Sequence, residues 1–248
     1  MATVSTLLTD IGNQTNDPNS EVFTSALKLT ALNNAQNELV LKIMGFSGEF
    51  EGIYDLLSDI VEKEIKSVGT SGFNLANLSN RNILRNGFIN SRITIAGEFK
   101  FPVRYTLDKL GLSENTYLSG SDDYPVSRIE NNIYYLDIDV GSYPINVTMW
   151  YIGEPFEMAA SASGSGKTQK VATSDLNVLM HDLLAKIAER DLRTGRGDPT
   201  DFNEAAFIDK QVNEQILALV QGQKMTPKSG TIGQWQRKEQ SESVILNQ

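Results

Sequence analysis

The spacing of apolar residues switches twice along this chain, and that switch limits the folds open to it. Near both ends apolar residues recur every three or four positions, the period of a helix with one buried face. In the middle they alternate, the period of a half-buried strand. Val4, Leu7, Leu8 and Ile11 predict a first helix that stops at Gly12-Asn13. Asn16-Asp17-Pro18-Asn19-Ser20 is turn chemistry. A longer helix is predicted from about Ser20 to Met44, on the stripe Phe23, Leu27, Ala31, Ala35, Leu39 and Ile43, with Gly45 and Gly48 to break it. Ile53, Leu56, Leu57, Ile60, Val61 and Ile65 predict a third helix with a wide apolar face, closed by Gly69 and Gly72.

From residue 73 to 158 tyrosine and β-branched residues take over. Residues 92–96 and 99–103 read as short strands. The run 133–140, the pair Gly141-Ser142 and the run 145–152 read as a β-hairpin. On its first strand Tyr134, Leu136, Ile138 and Val140 share one face, and Tyr135, Asp137 and Asp139 share the other. Residues 159–173 are small and polar and read as a linker. Helix resumes after Ser174-Asp175, a cap, on the stripe Leu176, Leu179, Leu183, Ile187 and Ala188, and ends at Gly195 and Gly197. Asp198-Pro199-Thr200 opens a last helix on Phe202, Ala205, Ile208, Val212, Ile216 and Leu219. The fold class expected is α+β. Residues 1–72 and 174–222 build one helical bundle, 73–158 form a β-rich insertion, and 223–248 are an extended tail.

Composition removes whole classes of chemistry. The chain has 248 residues, room for one large or two small domains. With no cysteine there is no disulfide and no thiolate metal site, and with one histidine, His181, no mechanism that needs two imidazoles. The net charge is −9, which disfavours binding nucleic acid through phosphates. Arg81, Arg85 and Arg92 are the nearest approach to a basic patch, but asparagines dilute them. The first residues lack the pattern of a secretory signal and no apolar run reaches a bilayer-spanning length, so a soluble protein made in the cytoplasm, without membrane contact, is expected.

Two motifs invite a catalytic or metal-binding reading. Ser163-Gly164-Ser165-Gly166-Lys167-Thr168 ends like a phosphate-binding loop, whose backbone amides cradle phosphates. Ser161 stands where that pattern wants its first glycine, and Gln169–Thr173 separate Thr168 from the next helix, so a flexible linker is the better reading. Asp137 and Asp139 on one strand face would suit Mg²⁺ or Ca²⁺, yet the glutamate and spacing of a calcium loop are missing. His181 lies on a helix with no second histidine or cysteine, which favours a packed or surface role. No catalytic residue, cofactor or metal site is assigned.

The tail carries the docking candidates. Ile232, Trp235, Val244, Ile245 and Leu246 are isolated apolar residues in polar sequence, the pattern of an extended segment that orders on another surface. Lys224, Lys228, Arg237 and Lys238 against Glu239 and Glu242 give this segment a small positive charge in an acidic chain.

Three stretches together resemble a known family. Phe23-Thr24-Ser25-Ala26-Leu27, followed by Ala31-Leu32-Asn33-Asn34-Ala35-Gln36-Asn37-Glu38-Leu39-Val40, resembles the early helix of head-to-tail adaptor (connector) proteins of tailed bacteriophages. Tyr124-Pro125-Val126, the hairpin, and Trp150-Tyr151-Ile152-Gly153-Glu154-Pro155 resemble that family's β-insertion. Residues 179–190, from Leu179-Met180-His181-Asp182-Leu183 to Ala188-Glu189-Arg190, resemble its late helix, which a short Gly/Asp-rich turn and a final helix follow. The likeness covers about residues 1–222. Leu75-Ala76-Asn77 departs from it, standing where many members have a Leu-Pro-x-Asp entry. The resemblance implies a non-enzymatic virion protein of the neck, without cofactor. Its partners would be copies of itself in a ring of about twelve, the portal protein above, tail or nozzle proteins below, and DNA only in passing. Another virion ring protein, such as a head-closure or tail component, would share the same composition. A phosphate-loop enzyme at Gly166-Lys167-Thr168 is the alternative of a different class.

Overall fold

Thr3 and Thr24 start the first two helices. The Thr3 hydroxyl accepts from the Thr6 N–H at 3.1 Å, and that of Thr24 accepts from the Leu27 N–H at 3.3 Å. These caps open α1, Val4–Gln14, and α2, Ser25–Gly45. Two more helices follow late in the chain, α3 at His181–Arg196 and α4 at Pro199–Gly222. The computed structural model describes residues 2–46, 53–105, 120–138, 143–196 and 199–222. Within them the protein is mixed α+β, with these four helices, shorter helical turns and three sheets. The chain divides into two compact units, one made of the residues up to Ser58 with those from Leu176 on, the other of Asp59–Asp175.

In the helical unit α3 packs against α1, α2 and α4. Leu183, Leu184, Ile187 and Ala188 of α3 and Leu32, Ala35, Leu39 and Ile43 of α2 are buried, as the helical period requires. Charged groups then tie the helices at their edges. Arg190 of α3 donates to Glu38 of α2 at 2.8 Å and to Asp209 of α4 at 2.8 Å, and Lys42 of α2 reaches Asp209 at 3.1 Å. Arg193 of α3 donates to the Gln14 carbonyl at the end of α1 at 3.2 Å. The stripes depart from the spacing at three places. Leu27 and Leu179 are exposed, and so is Phe202 in the first turn of α4. Lys28 takes the buried position beside Leu27, because its ammonium caps the 16–20 turn by binding the Asp17 carboxylate at 3.1 Å and the Asp17 carbonyl at 2.5 Å. Burial pushes the Asp17 pKa up, but the Phe23 and Val22 N–H groups, Lys28 and the Glu21 N–H outweigh it and hold the carboxyl at about 2.

The third helix expected at 53–65 is not formed. Only one helical turn, Ile53–Leu56, precedes a strand, β1 at Val61–Val68. The second unit therefore begins before residue 73. Its first sheet has the order β1-β8-β3-β4, all antiparallel, with β3 at Ile83–Ile95, β4 at Glu98–Lys100 and β8 at Ile145–Gly153. Its second sheet has the order β2-β7-β6-β5, with β2 at Phe73–Asn74, β5 at Val103–Tyr105, β6 at Val126–Glu130 and β7 at Ile133–Asp137. Val68, Phe88, Ile93, Val147, Met149 and Tyr151 from the first sheet share one core with Leu75, Leu78, Tyr134, Leu136 and Ile138. The Ser91 and Tyr134 hydroxyls, 2.8 Å apart, satisfy each other inside it.

The expected hairpin is also corrected. β7 and β8 lie in different sheets, and β7 instead pairs with β6 through a turn at Asn131-Asn132. Both asparagines have positive φ, 50° and 64°, the conformation of a tight two-residue hairpin turn. The predicted face on β7 stands all the same, with Tyr134, Leu136 and Ile138 buried; Asp139 and Val140 lie outside the described residues. Residues 159–173 are not an open linker. They carry β10, Lys170–Val171, which pairs in parallel with β9, Glu157–Met158. Nor does Ser174-Asp175 cap a helix: Asn177 caps a short turn, Val178–Met180, that leads into α3.

Candidate functional site

The Gly-Lys-Thr motif sits on a loop that folds back on itself. The Ser163 and Lys170 backbones exchange hydrogen bonds at 3.1 and 2.8 Å, and Gly164 and Gly166 take positive φ. Gly166–Thr168 is a single three-residue turn rather than the start of a helix, so the stacked N–H groups that hold phosphate are missing. Lys167 turns its ammonium onto the Ala76 carbonyl. The cavity beside it, lined in part by Arg81, Phe156 and Thr168, is about 190 Å³, below the roughly 300–1,000 Å³ of ordinary small-molecule sites.

Next to that loop lies a densely bonded polar cluster of the β unit. Arg81 is buried; its Nε donates to Glu62 at 2.7 Å, its Nη1 donates to Asp175 at 2.8 Å, and its guanidinium lies 3.6 Å from the centre of the Phe156 ring. Asp175 also accepts from the Phe156 N–H at 2.9 Å. Two residues along β1 from Glu62, Glu64 accepts from the Ser79 and Asn80 N–H groups at 2.8 and 2.9 Å, from Lys66 at 2.6 Å and from the Tyr151 hydroxyl. Burial pushes the Glu64 pKa up; Lys66, Tyr151 and the Asn80 and Ser79 N–H groups outweigh it and hold the carboxyl at about 2. Burial, with Glu64 beside it, pushes the Tyr151 hydroxyl up, so it stays a neutral donor. These groups pin the 79–82 turn to β1 and β8. Glu64 is held ionised and Tyr151 protonated, the reverse of the mid-range pKa that acid–base catalysis needs.

The other sequence candidates are scattered. His181 is buried, with Nε2 3.0 Å from the Leu176 carbonyl, a packing role. Asp137 accepts the Gly120 N–H at 3.0 Å; among the described residues no cluster of three or more acidic or histidine side chains could hold a metal. Arg81 is buried, so it forms no solvent-facing patch with Arg85 and Arg92. No described helix is long and apolar enough to cross a membrane. Ile232, Trp235, Val244, Ile245 and Leu246 lie outside the described residues.

No family model and no curated protein matches this chain. What remains is surface. The outward side of the first sheet gathers Lys63 and Ile65 of β1, Arg92 of β3, Phe99 of β4 and Trp150 of β8, because Lys63 pairs with Trp150, Ile65 and Arg92 both pair with Thr148, and Phe99 pairs with Thr94. Sequence reasoning misses this face because the apolar spacing of residues 53–65 predicts a helix. The signal was present: Val61-Glu62-Lys63-Glu64-Ile65-Lys66 alternates, and its two glutamates turn to the side opposite Lys63.

Proposed function

We propose that this chain is a structural adaptor subunit of a tailed bacteriophage. Copies assemble into a ring in the virion neck, join the portal of the head to the tail, and line the channel through which DNA leaves. The observation that carries the reading is the pairing of the chain's two ends in one helical unit, with the β unit between them in sequence. That is the plan implied by the likeness at residues 23–40, 124–155 and 179–190. On this reading α1–α4 form one bundle, and the contacts of Arg190 with α2 and α4 and of Arg193 with α1 are its ties. The folded-back Gly-Lys-Thr loop and the small cavity beside it favour a structural over a nucleotide-hydrolysing role. A net charge of −9 suits a channel wall, since contacts with phosphate would slow the passing genome.

The tail residues Ile232, Trp235, Val244, Ile245 and Leu246 are the proposed anchors on the portal or a neighbouring copy. Deleting residues 223–248 is expected to leave a folded subunit that no longer joins portal-bearing heads, and Trp235→Ala to weaken joining without lowering the melting temperature. Sedimentation of heads incubated with each variant measures this. Unchanged attachment of the truncated chain would remove the tail from the docking role. Failure of the full chain to bind portal-bearing heads would remove the adaptor reading itself.

A further inference from the structure

We propose that the outer face of α2 is a self-association surface, through which two copies of this chain pair with their α2 helices antiparallel. The three charged residues of α2 are all turned into its own unit, Lys28 to Asp17, Glu38 to Arg190 and Lys42 to Asp209. The exposed positions of the helix carry no charge, in a chain whose residues are 21% charged. The other three helices each expose at least one charge, Asp10 on α1, Asp182 on α3 and Glu204 on α4. Opposite the core stripe of α2, Leu27, Thr30, Asn34, Asn37, Leu41 and Met44 recur at alternate steps of three and four, the seam of a helix that packs on a second helix. Leu27 is 52% exposed and Leu41 51%; Thr30, Asn34 and Asn37 are exposed and Met44 is half-buried. Depletion of charge is the compositional mark of an interface core.

The face is complementary to itself. Its spacing is symmetrical about the midpoint between Asn34 and Asn37. When a second α2 runs antiparallel across it, Leu27 meets Met44, Thr30 meets Leu41 and Asn34 meets Asn37, once on either side of a two-fold axis. A side-chain amide both donates and accepts, so each Asn34–Asn37 pair satisfies itself, and a polar layer of this kind fixes the register. A charged partner would lose its water here and find no counter-charge. The occupant is therefore a neutral face, and α2 is the neutral helical face that this chain supplies. Antiparallel packing also sets the positive N-terminal end of each helix beside the negative C-terminal end of the other. The strip is about 25 Å long. One helix pair over that length buries less than the roughly 1,600 Å² of a stable complex, so the pair is weak and reversible. Its two-fold axis closes it. The inference rests on the spacing, charge and burial of α2 and not on the adaptor reading.

The test uses the full chain. Sedimentation velocity is run from micromolar to millimolar protein, at low and at high salt, on the wild type and on Asn34→Lys. The wild type is expected to pass from monomer to dimer as its concentration rises, and no less readily at high salt, because no charge takes part in the contact. Asn34→Lys sets a cation at the axis of each copy and is expected to weaken pairing roughly tenfold or more. Asn34 is exposed and lysine is the better helix former, so this variant keeps its melting temperature and separates lost pairing from lost folding. The chain has no cysteine, so single-cysteine variants report the geometry directly. Leu27→Cys and Met44→Cys, oxidised together, are expected to give the mixed disulfide, and each oxidised alone to stay largely uncrosslinked. A wild type that stays monomeric at millimolar concentration would assign the face to another occupant and overturn the proposal. So would an Asn34→Lys chain that pairs as the wild type does, pairing that salt disrupts, or disulfides that form in each single variant alone and not in the mixture.

Discussion

Glu64 is a carboxylate whose ionised form the fold has built itself around. It is 7% exposed, accepts two backbone N–H groups and the Tyr151 hydroxyl, and pairs with Lys66. Its folded pKa of about 2 lies below the ordinary 4.5. The folded state therefore binds this proton less readily than the unfolded chain, and stability is present in full above about pH 4.5 and is lost as pH falls through about 2. Asp17, also near 2 against 3.8, adds to the same acid limb from the helical unit. Glu64→Gln removes the charge but keeps the shape. We expect it to cost about 1–3 kcal/mol at neutral pH and to make the loss of stability between pH 4.5 and 2 shallower. Urea titrations at a series of pH values measure both; an acid limb as steep as that of the wild type would show that Glu64 does not contribute.

Elements were legible in the sequence where periodicity alone decides them, and illegible where a distant partner does. The stripes of α2, α3 and α4 came through because a helix satisfies its own backbone, so one buried face is enough to define it. β1 is hidden because Ile53, Leu56, Leu57, Ile60, Val61 and Ile65 fit a helical spacing, while the strand's pairing with β8 lies some eighty residues away in sequence. The hairpin is hidden because Gly141-Ser142 is, by residue type, the stronger turn signal. Asn131-Asn132 makes the actual one, and asparagine is among the few side chains that tolerate positive φ in both positions. That turn sets the register Val126 to Asp137 through Glu130 to Ile133. Asn132→Val places a β-branched side chain at φ 64°, and should destabilise the protein by about 1–2 kcal/mol. Thermal unfolding measures the loss, and a variant as stable as the wild type would mean the turn does not hold that conformation. Of the candidate sites, the inertness of the Gly-Lys-Thr loop was readable from Ser161 and from residues 169–173, whereas the outward face of the first sheet required the pairing of four strands that no local pattern announces.

On the scale of the whole molecule, one unit is split by the insertion of another. Among the described residues, the core cluster around Tyr134 and Tyr151 is drawn from Val68 to Tyr151, and the ties of Arg190 and Arg193 join residues that lie outside Asp59–Asp175. A unit with a core cluster or ties of its own is a candidate to fold alone. Chain connectivity points the same way. Joining Ser58 to Leu176 by a short flexible linker replaces a long connection, and each halving of a loop lowers its closure cost by only about 0.6 kcal/mol, on the favourable side. The excised helical chain is expected to keep its helical circular dichroism and to melt in one cooperative transition. Asp59–Asp175 made alone is expected to show a strand-type spectrum, also with a cooperative melt. Arg190→Met in the excised helical chain should then lower its melting temperature much as it does in the full chain, because Glu38, Asp191 and Asp209 are all retained. A helical fragment that loses its spectrum or melts without cooperativity would show that the two ends depend on the β unit, and the insertion plan, with the adaptor likeness built on it, would have to be abandoned.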